Sequence, residues 1–307
     1  MVKVITVKTG KGGVCKTTNA IHLAQALTFH SKKILLVDLD AQKGMSKILA
    51  RDIALDDDIF SSADYLMSNY NNIKDLIHEI EPNMFLMKGH RGLINAVLHL
   101  EATAEESYLN ILRKKLREDF SDFDYIILDL GYGVGDSLSK IAYIAADLLM
   151  APVSLDNEAL EGLAESLDDV EDLRNDGLLN LEGPEVLLVP NRYNKIFKSE
   201  NERVNKIMID GFGEDHVTDY IRENNNIKNA YSEGKTGISY ELELENKLFE
   251  RVARKEQIKL KPNEDLRNNE KLLKAVEVYT SKYPSSKVEK KAHDDFMKLA
   301  KKIIEVL

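Results

Sequence analysis

The sequence predicts an α/β chain, a mostly parallel twisted sheet flanked by helices with a helical C-terminal elaboration, and three observations predict it. Short runs rich in Val, Ile and Leu lack the alternation of a half-exposed strand, as expected of strands buried on both faces. Helical stretches follow them, which implies right-handed crossovers between parallel strands. The first run leads into a glycine-rich loop that opens a helix.

The expected strands are VKVITVKT (2–9), KILLVDLD (33–40), NMFLMKG (83–89), DYIILDL (124–130), DLLMAPVS (147–154) and EVLLVPNR (185–192), with helices over 16–30, 106–119 and 157–175. In an open sheet of this kind ligands sit beyond the carboxyl ends of the strands. After about residue 242 the sequence turns to Lys/Glu-rich helix, broken at LKPNED (260–265) and YPSS (283–286). In the last helix Ala292, Phe296, Leu299, Ile303 and Leu307 recur three and four apart and so share one face. The expected division is an α/β domain over 1–245, a helical insertion over 246–286 and a terminal helix over 287–307 that packs on the domain.

The composition is that of a globular chain: 31% of the 307 residues are charged and 43% hydrophobic, and no apolar run is long enough to cross a bilayer. With no charged-then-apolar leader, a cytoplasmic protein is expected. One cysteine, Cys15, excludes an internal disulfide and any iron–sulfur or zinc site built on a cysteine pair. The net charge of −10 is unevenly spread, because residues 246–307 hold 16 Lys and Arg against 10 Asp and Glu. The acidic excess lies in the α/β part.

The loop is KTGKGGVCKTT (8–18). Gly10, Gly12 and Gly13 let successive N–H groups, through Val14 and Cys15, turn onto phosphate oxygens. Lys16 then reaches the β and γ phosphates, and Thr17 offers its hydroxyl to Mg²⁺ at a helix N-terminus. Cys15 stands where such loops have glycine. It is expected to be tolerated, since the chain is already entering the helix, and its thiol is expected to have a lowered pKa beside the helix N-terminus. Asp38 and Asp40, two apart, should point to one side near the loop, where they suggest metal and water. Asp129 ends an apolar strand in the manner of a metal-holding acid. Asn191 ends another, either to donate and accept across an adenine edge or simply to form a turn.

Together, KGGVCKTT with Lys11 ahead of Lys16, VDLDAQ (37–42) and DYIILD (124–129) resemble the deviant Walker ATPases of the ParA/MinD family, which have a P-loop NTPase fold. The resemblance extends through APVSLDNEALEGLAESL (151–167) and YIRENNNIKNAYSEGKTGISYE (220–241), and takes in the last helix. It implies ATP or ADP as ligand, Mg²⁺ as cofactor and slow ATP hydrolysis. Lys11 would reach nucleotide across a face-to-face homodimer, Thr18 would support the α-phosphate, and Asp40 would orient the attacking water. A ParA-type member would bind nonspecific double-stranded DNA when ATP-dimerised and be released on hydrolysis stimulated by a ParB-like centromere-binding partner. It would serve plasmid or chromosome partition and lie on the nucleoid.

By the same resemblance Lys195, Lys198, Arg203, Arg222, Lys228 and Lys235 flank the segments expected to contact DNA. The alternatives are a MinD-like membrane-associated positioning ATPase and a nucleotide-gated scaffold with negligible turnover. No membrane partner is expected, and, with the first strand starting at residue 2, no operator-binding module either. Three departures stand out. DLGYGVG (129–135) lacks the family's proline pair after the acid, the arginine loop lacks its proline, and 246–286 has no counterpart.

Overall fold

The computed structural model describes residues 1–10, 12–56, 59–103, 108–131, 136–179, 183–261 and 264–307. Its strands are β1 (Lys3–Val7), β2 (Ile34–Leu39), β3 (His78–Glu81), β4 (Met84–Met87), β5 (Tyr125–Leu130), β6 (Leu148–Ser154) and β7 (Glu185–Asn191). They form one sheet in the order β3-β4-β2-β5-β1-β6-β7, parallel throughout except for β3. Every residue of β2, β5 and β6 is buried, the expected consequence of helices on both faces. The six apolar runs are the six parallel strands.

The seventh strand, β3, has no apolar run to announce it. HEIE is half-exposed and pairs antiparallel at the sheet edge, with an irregular register between Glu79 and Glu81. Its signal lies in the turn, where Pro82 is followed by Asn83 at φ 64°, a pairing that suits a tight reversal. The helix expected from 106 begins at Ile111, after a single 3₁₀ turn over Tyr108–Asn110.

Packing divides the chain into two compact units, Met1–Glu223 with Asp295–Leu307, and Asn224–Asp294. In the first, Val4, Val37, Ile126 and Leu128 pack on Leu112, Leu116 and Ile141 to make the largest core. The first helix, Lys16–Phe29, is buried on nearly every side from Asn19 to Leu27. Its His22 is fully buried, stacks on Phe296 of the last helix at 4.8 Å between ring centres, and donates from Nδ1 to the Thr18 carbonyl at 2.7 Å. Phe296, Leu299, Ala300 and Ile303 are all buried, so the apolar face read from the sequence is spent on packing.

The second unit has its own core, in which Leu248, Phe249, Val252 and Ala253 of the helix Gly237–Lys255 meet Leu272. A buried carboxylate organises it. Glu241 accepts from the Asn224 side chain at 2.7 Å and from the backbone N–H groups of Ala292 and His293 at 3.1 Å each, where the helix Lys291–Val306 starts. An anion there satisfies free amides and faces the positive end of the helix.

Burial pushes the His22 pKa down to about 4, against the opposing hydrogen bond to Thr18. A histidine with a depressed folded pKa stays neutral in the native state while the unfolded chain takes up a proton below about pH 6.5. The resulting stability is present above that pH and is lost as pH falls toward 4. Between pH 6.5 and 5, wild type should lose about 2 kcal/mol that a His22→Gln variant does not lose. Urea denaturation of both proteins at the two pH values checks this, and parallel curves would refute it.

Candidate functional site

β1 delivers the chain into the phosphate loop at the carboxyl end of the sheet. Thr9, fully buried, donates to the Pro152 carbonyl at 2.8 Å, and the Gly10 N–H donates to the Gly162 carbonyl at 3.0 Å. A Cβ on Gly10 would lie 2.7 Å from that carbonyl oxygen, so only glycine allows the approach. Gly13 has φ 76°, and Gly12 is exposed. Val14 is buried among Ala151, Val153 and Leu163, which anchors the loop from its apolar side. Lys11 lies outside the described residues, as do residues 132–135 after the β5 acid.

Cys15 corrects two expectations. The chain has not yet entered the helix there, because Cys15 is the N-cap, in the left-handed region at φ 67° and ψ 28°. That conformation explains why glycine suits the position. It is held by Asn19, whose backbone N–H and side-chain Nδ2 both donate to the Cys15 carbonyl, at 2.9 and 2.8 Å. Nor is the thiol pKa lowered. Burial pushes it up, and Arg192, which favours the thiolate, is opposed by Glu223.

Lys16 is buried and reaches the Thr9 carbonyl at 3.5 Å, with its pKa lowered first by burial and then by Lys8. Asp129, one per cent exposed, has neither carboxylate oxygen in a hydrogen bond. Burial and then Asp38 raise its pKa to about 7, and the nearby Thr17 hydroxyl only partly offsets this. Asp129 stands level with Asp38 across the β2–β5 ladder. An orphaned buried carboxylate beside a threonine hydroxyl suits a cation that takes its remaining ligands from phosphate and water. Among the described residues no cluster of three or more His, Cys, Asp or Glu makes a dedicated metal cage.

Asp38 and Asp40 do different things. Asp38 is fully buried, accepts at Oδ2 from the Ser46 N–H at 2.9 Å and the Ser46 hydroxyl at 2.6 Å, and at Oδ1 from the Asp40 N–H at 3.1 Å. Burial still raises its pKa to about 6. Its oxygens are engaged by the protein, so it shapes the 40–46 segment rather than offering itself to a metal. Asp40 is partly exposed, accepts from the Gln42 N–H at 2.8 Å, and directs its other oxygen to the Gly44 position that the Thr17 hydroxyl also faces.

Asn191 is likewise committed. It is buried, accepts from Asn19 Nδ2 at 2.9 Å and donates to the Val189 carbonyl at 2.6 Å, so it braces the first helix rather than facing a base. Past it, a cleft of about 270 Å³ at the ends of β6 and β7 is lined by Asp156, Arg192, Asn194, Phe197 and Glu223 among others. Arg192 and Glu223 also act on the Cys15 thiol, which sets this cleft beside the loop. Sequence reasoning missed Arg192, although its place directly after a strand end was a usable signal.

The six expected DNA-contacting residues differ in their local partners. Arg222 grips Asp295 through Nε at 2.9 Å and Nη2 at 2.8 Å, and the Arg222 N–H adds a bond of 2.9 Å to the same carboxylate. Lys198 pairs with Glu202 at 3.5 Å, and Lys235 with Glu233 and Glu243 at 3.2 and 2.9 Å. Lys195 and Arg203 are exposed on the first unit and Lys228 on the second. Lys8, which the sequence reading passed over, is buried and donates from Nζ to the Gly131 carbonyl at 3.1 Å.

The left-handed backbone at Cys15 yields a direct expectation. Cys15→Gly should raise the stability of the nucleotide-free protein by about 1 kcal/mol, the strain relieved less the entropy glycine adds to the unfolded chain. Chemical denaturation measures it, and a loss of stability would show that the sulfur's packing outweighs the strain.

The geometry agrees with three comparisons. The family model described as an AAA domain matches residues 2–182. The chromosome partitioning protein ParA of Myxococcus xanthus (strain DK1622) is 31% identical over 196 residues, 62% of this chain and 67% of that protein. Among solved structures, apo McdA of Cyanothece superposes with a TM-score of 0.66 at 22% identity, covering 77% of this chain and 92% of that one. Cobyrinic acid a,c-diamide synthase of Mycobacterium smegmatis, with an ATP analogue and magnesium, gives 0.60 at 23% identity, covering 69% and 83%. At such identities the two structures bear on fold alone. The phosphate loop, the order of the acids along the strands and the match over residues 2–182 together make this chain a member of the AAA-domain family, and within it of the ParA/MinD group of deviant Walker P-loop proteins.

Proposed function

We propose that this chain is a DNA-partition ATPase of ParA type. The observation that carries the reading is Asp129, a buried carboxylate with no hydrogen bond, beside Thr17 and Lys16 at the mouth of a phosphate loop. Gly10 to Thr18 would hold the phosphates of ATP, Thr17 and Asp129 the magnesium ion, and the cleft at Arg192 the nucleoside. Bound magnesium would neutralise charge on the β and γ phosphates. Asp40, partly exposed and facing the Thr17 side, would orient the attacking water. Lys11 would cross to the nucleotide of a second copy. Catalysis of this kind is chiefly positioning and charge stabilisation, so basal turnover should be low until a ParB-like partner orders the site.

Nonspecific duplex DNA is the surface this reading favours. On the first unit Lys195 and Arg203 are exposed; on the second, Lys247, Arg251 and Arg254 recur along the exposed side of the helix Gly237–Lys255, and Lys228 is exposed on the preceding helix, Asn225–Ser232. The apolar face of the last helix, which a membrane-positioning relative would need, is buried. No helix among the described residues is long and apolar enough to cross a membrane.

Two outcomes are expected. Fluorescence anisotropy with nonspecific duplex DNA should show binding with ATP that weakens with salt and is absent with ADP or in Lys16→Ala. Asp40→Ala should keep ATP-dependent DNA binding while hydrolysis falls about a hundredfold or more. Equal loss of both would sink the scheme, and ATP-dependent sedimentation with liposomes in place of DNA binding would favour the membrane-positioning alternative.

A further inference from the structure

We infer that Lys8 is a positioning residue for hydrolysis: its ammonium holds the peptide that follows the metal-binding acid of β5, so turnover depends on it while nucleotide affinity does not. The inference rests on the ATPase reading above. Lys8 is the first residue beyond β1, and its backbone is fixed by a bond from its N–H to the Met150 carbonyl at 3.2 Å. The side chain turns inward, is seven per cent exposed, and donates to the Gly131 carbonyl at 3.1 Å. On its other side Gly131 donates its N–H to the Leu39 carbonyl at 3.4 Å.

The Gly131 peptide is thus strung between the strands on either side of β5, two residues after Asp129 and one residue before Asp40 on the β2 side.

Burying an ammonium is costly, and an apolar side chain would fill the same space more cheaply. Lys8 also lies close enough to Lys16 to lower its pKa, after burial. Lys16 faces the loop carbonyl of Thr9, whereas Lys8 faces the chain beyond Asp129. The two lysines therefore divide the work, Lys16 toward the phosphates and Lys8 toward the Gly131 peptide two residues after Asp129.

Lys8→Met keeps the length of the side chain and removes the charge and the donor; Lys8→Arg keeps both. With the full chain and Mg-ATP, three quantities decide: the Kd of a fluorescent ATP analogue, kcat, and hydrogen exchange of the peptide that begins at Leu130, with and without ATP. Lys8→Met is expected to bind the analogue within about threefold of wild type, to lose about tenfold or more in kcat, and to lose the ATP-induced slowing of exchange at Leu130–Gly131. Lys8→Arg should restore most of both.

Parallel changes in Kd and kcat would make Lys8 a phosphate ligand and overturn the inference, as would unchanged kcat and exchange. Should Lys8→Met unfold at lower temperature, Lys8→Arg with wild-type stability and wild-type exchange still supports it, and one with wild-type stability but no ATP-induced slowing overturns it. A wild-type protein that binds ATP without hydrolysing it would defeat the ATPase reading alone, and the exchange comparison would still decide for or against Lys8.

Discussion

Four charged side chains are buried where three neighbouring parallel strands end, and much of the first unit is arranged to keep them there. Asp38 on β2, Asp129 on β5, Lys8 just beyond β1 and Lys16 at the start of the first helix are each no more than eight per cent exposed. In a buried site every one of these charges interacts more strongly than it would in water, and none is cheap to leave there. The protein meets that cost with local partners: Ser46 and the Asp40 amide on Asp38, backbone carbonyls on Lys8 and Lys16. Asp129 alone has no hydrogen bond. The asymmetry makes the end of β5 the point at which a cation and a polyanion, if bound, would lower the electrostatic energy.

The sheet is the scaffold for that point, and its parallel part was legible because burial on both faces leaves uninterrupted apolar runs. β3 was not, since an edge strand with one face wet carries no such run. At the site, the loop was legible from glycine and lysine spacing. The roles of Asp38 and Asn191 were not, because spacing tells which side a residue faces but not what meets it there. Asp38 meets Ser46, eight residues on, and Asn191 meets Asn19, 172 residues away in the chain. The pairing of Arg222 was hidden for the same reason, since its partner Asp295 belongs to the last helix.

Cys15 shows a different limit. Its side chain suggested chemistry, whereas the structure makes its backbone the feature of interest, a left-handed turn normally left to glycine and held by a doubly bonded carbonyl. A residue name carries the properties of its side chain to the reader and hides the torsion that the position demands. The raised thiol pKa follows from the same place in the fold, since the turn tucks the sulfur out of water.

The clamp between Arg222 and Asp295 joins residues 73 apart in the chain, and both belong to the first unit. Everything between Glu223 and Asp295 therefore leaves and re-enters that unit at a stapled pair of points. The entropy of closing such a loop grows only slowly with its length. The staple thus makes the intervening segment modular: it is a position at which chain can be lengthened, shortened or exchanged over evolutionary time while the register of the sheet and the phosphate loop is left alone.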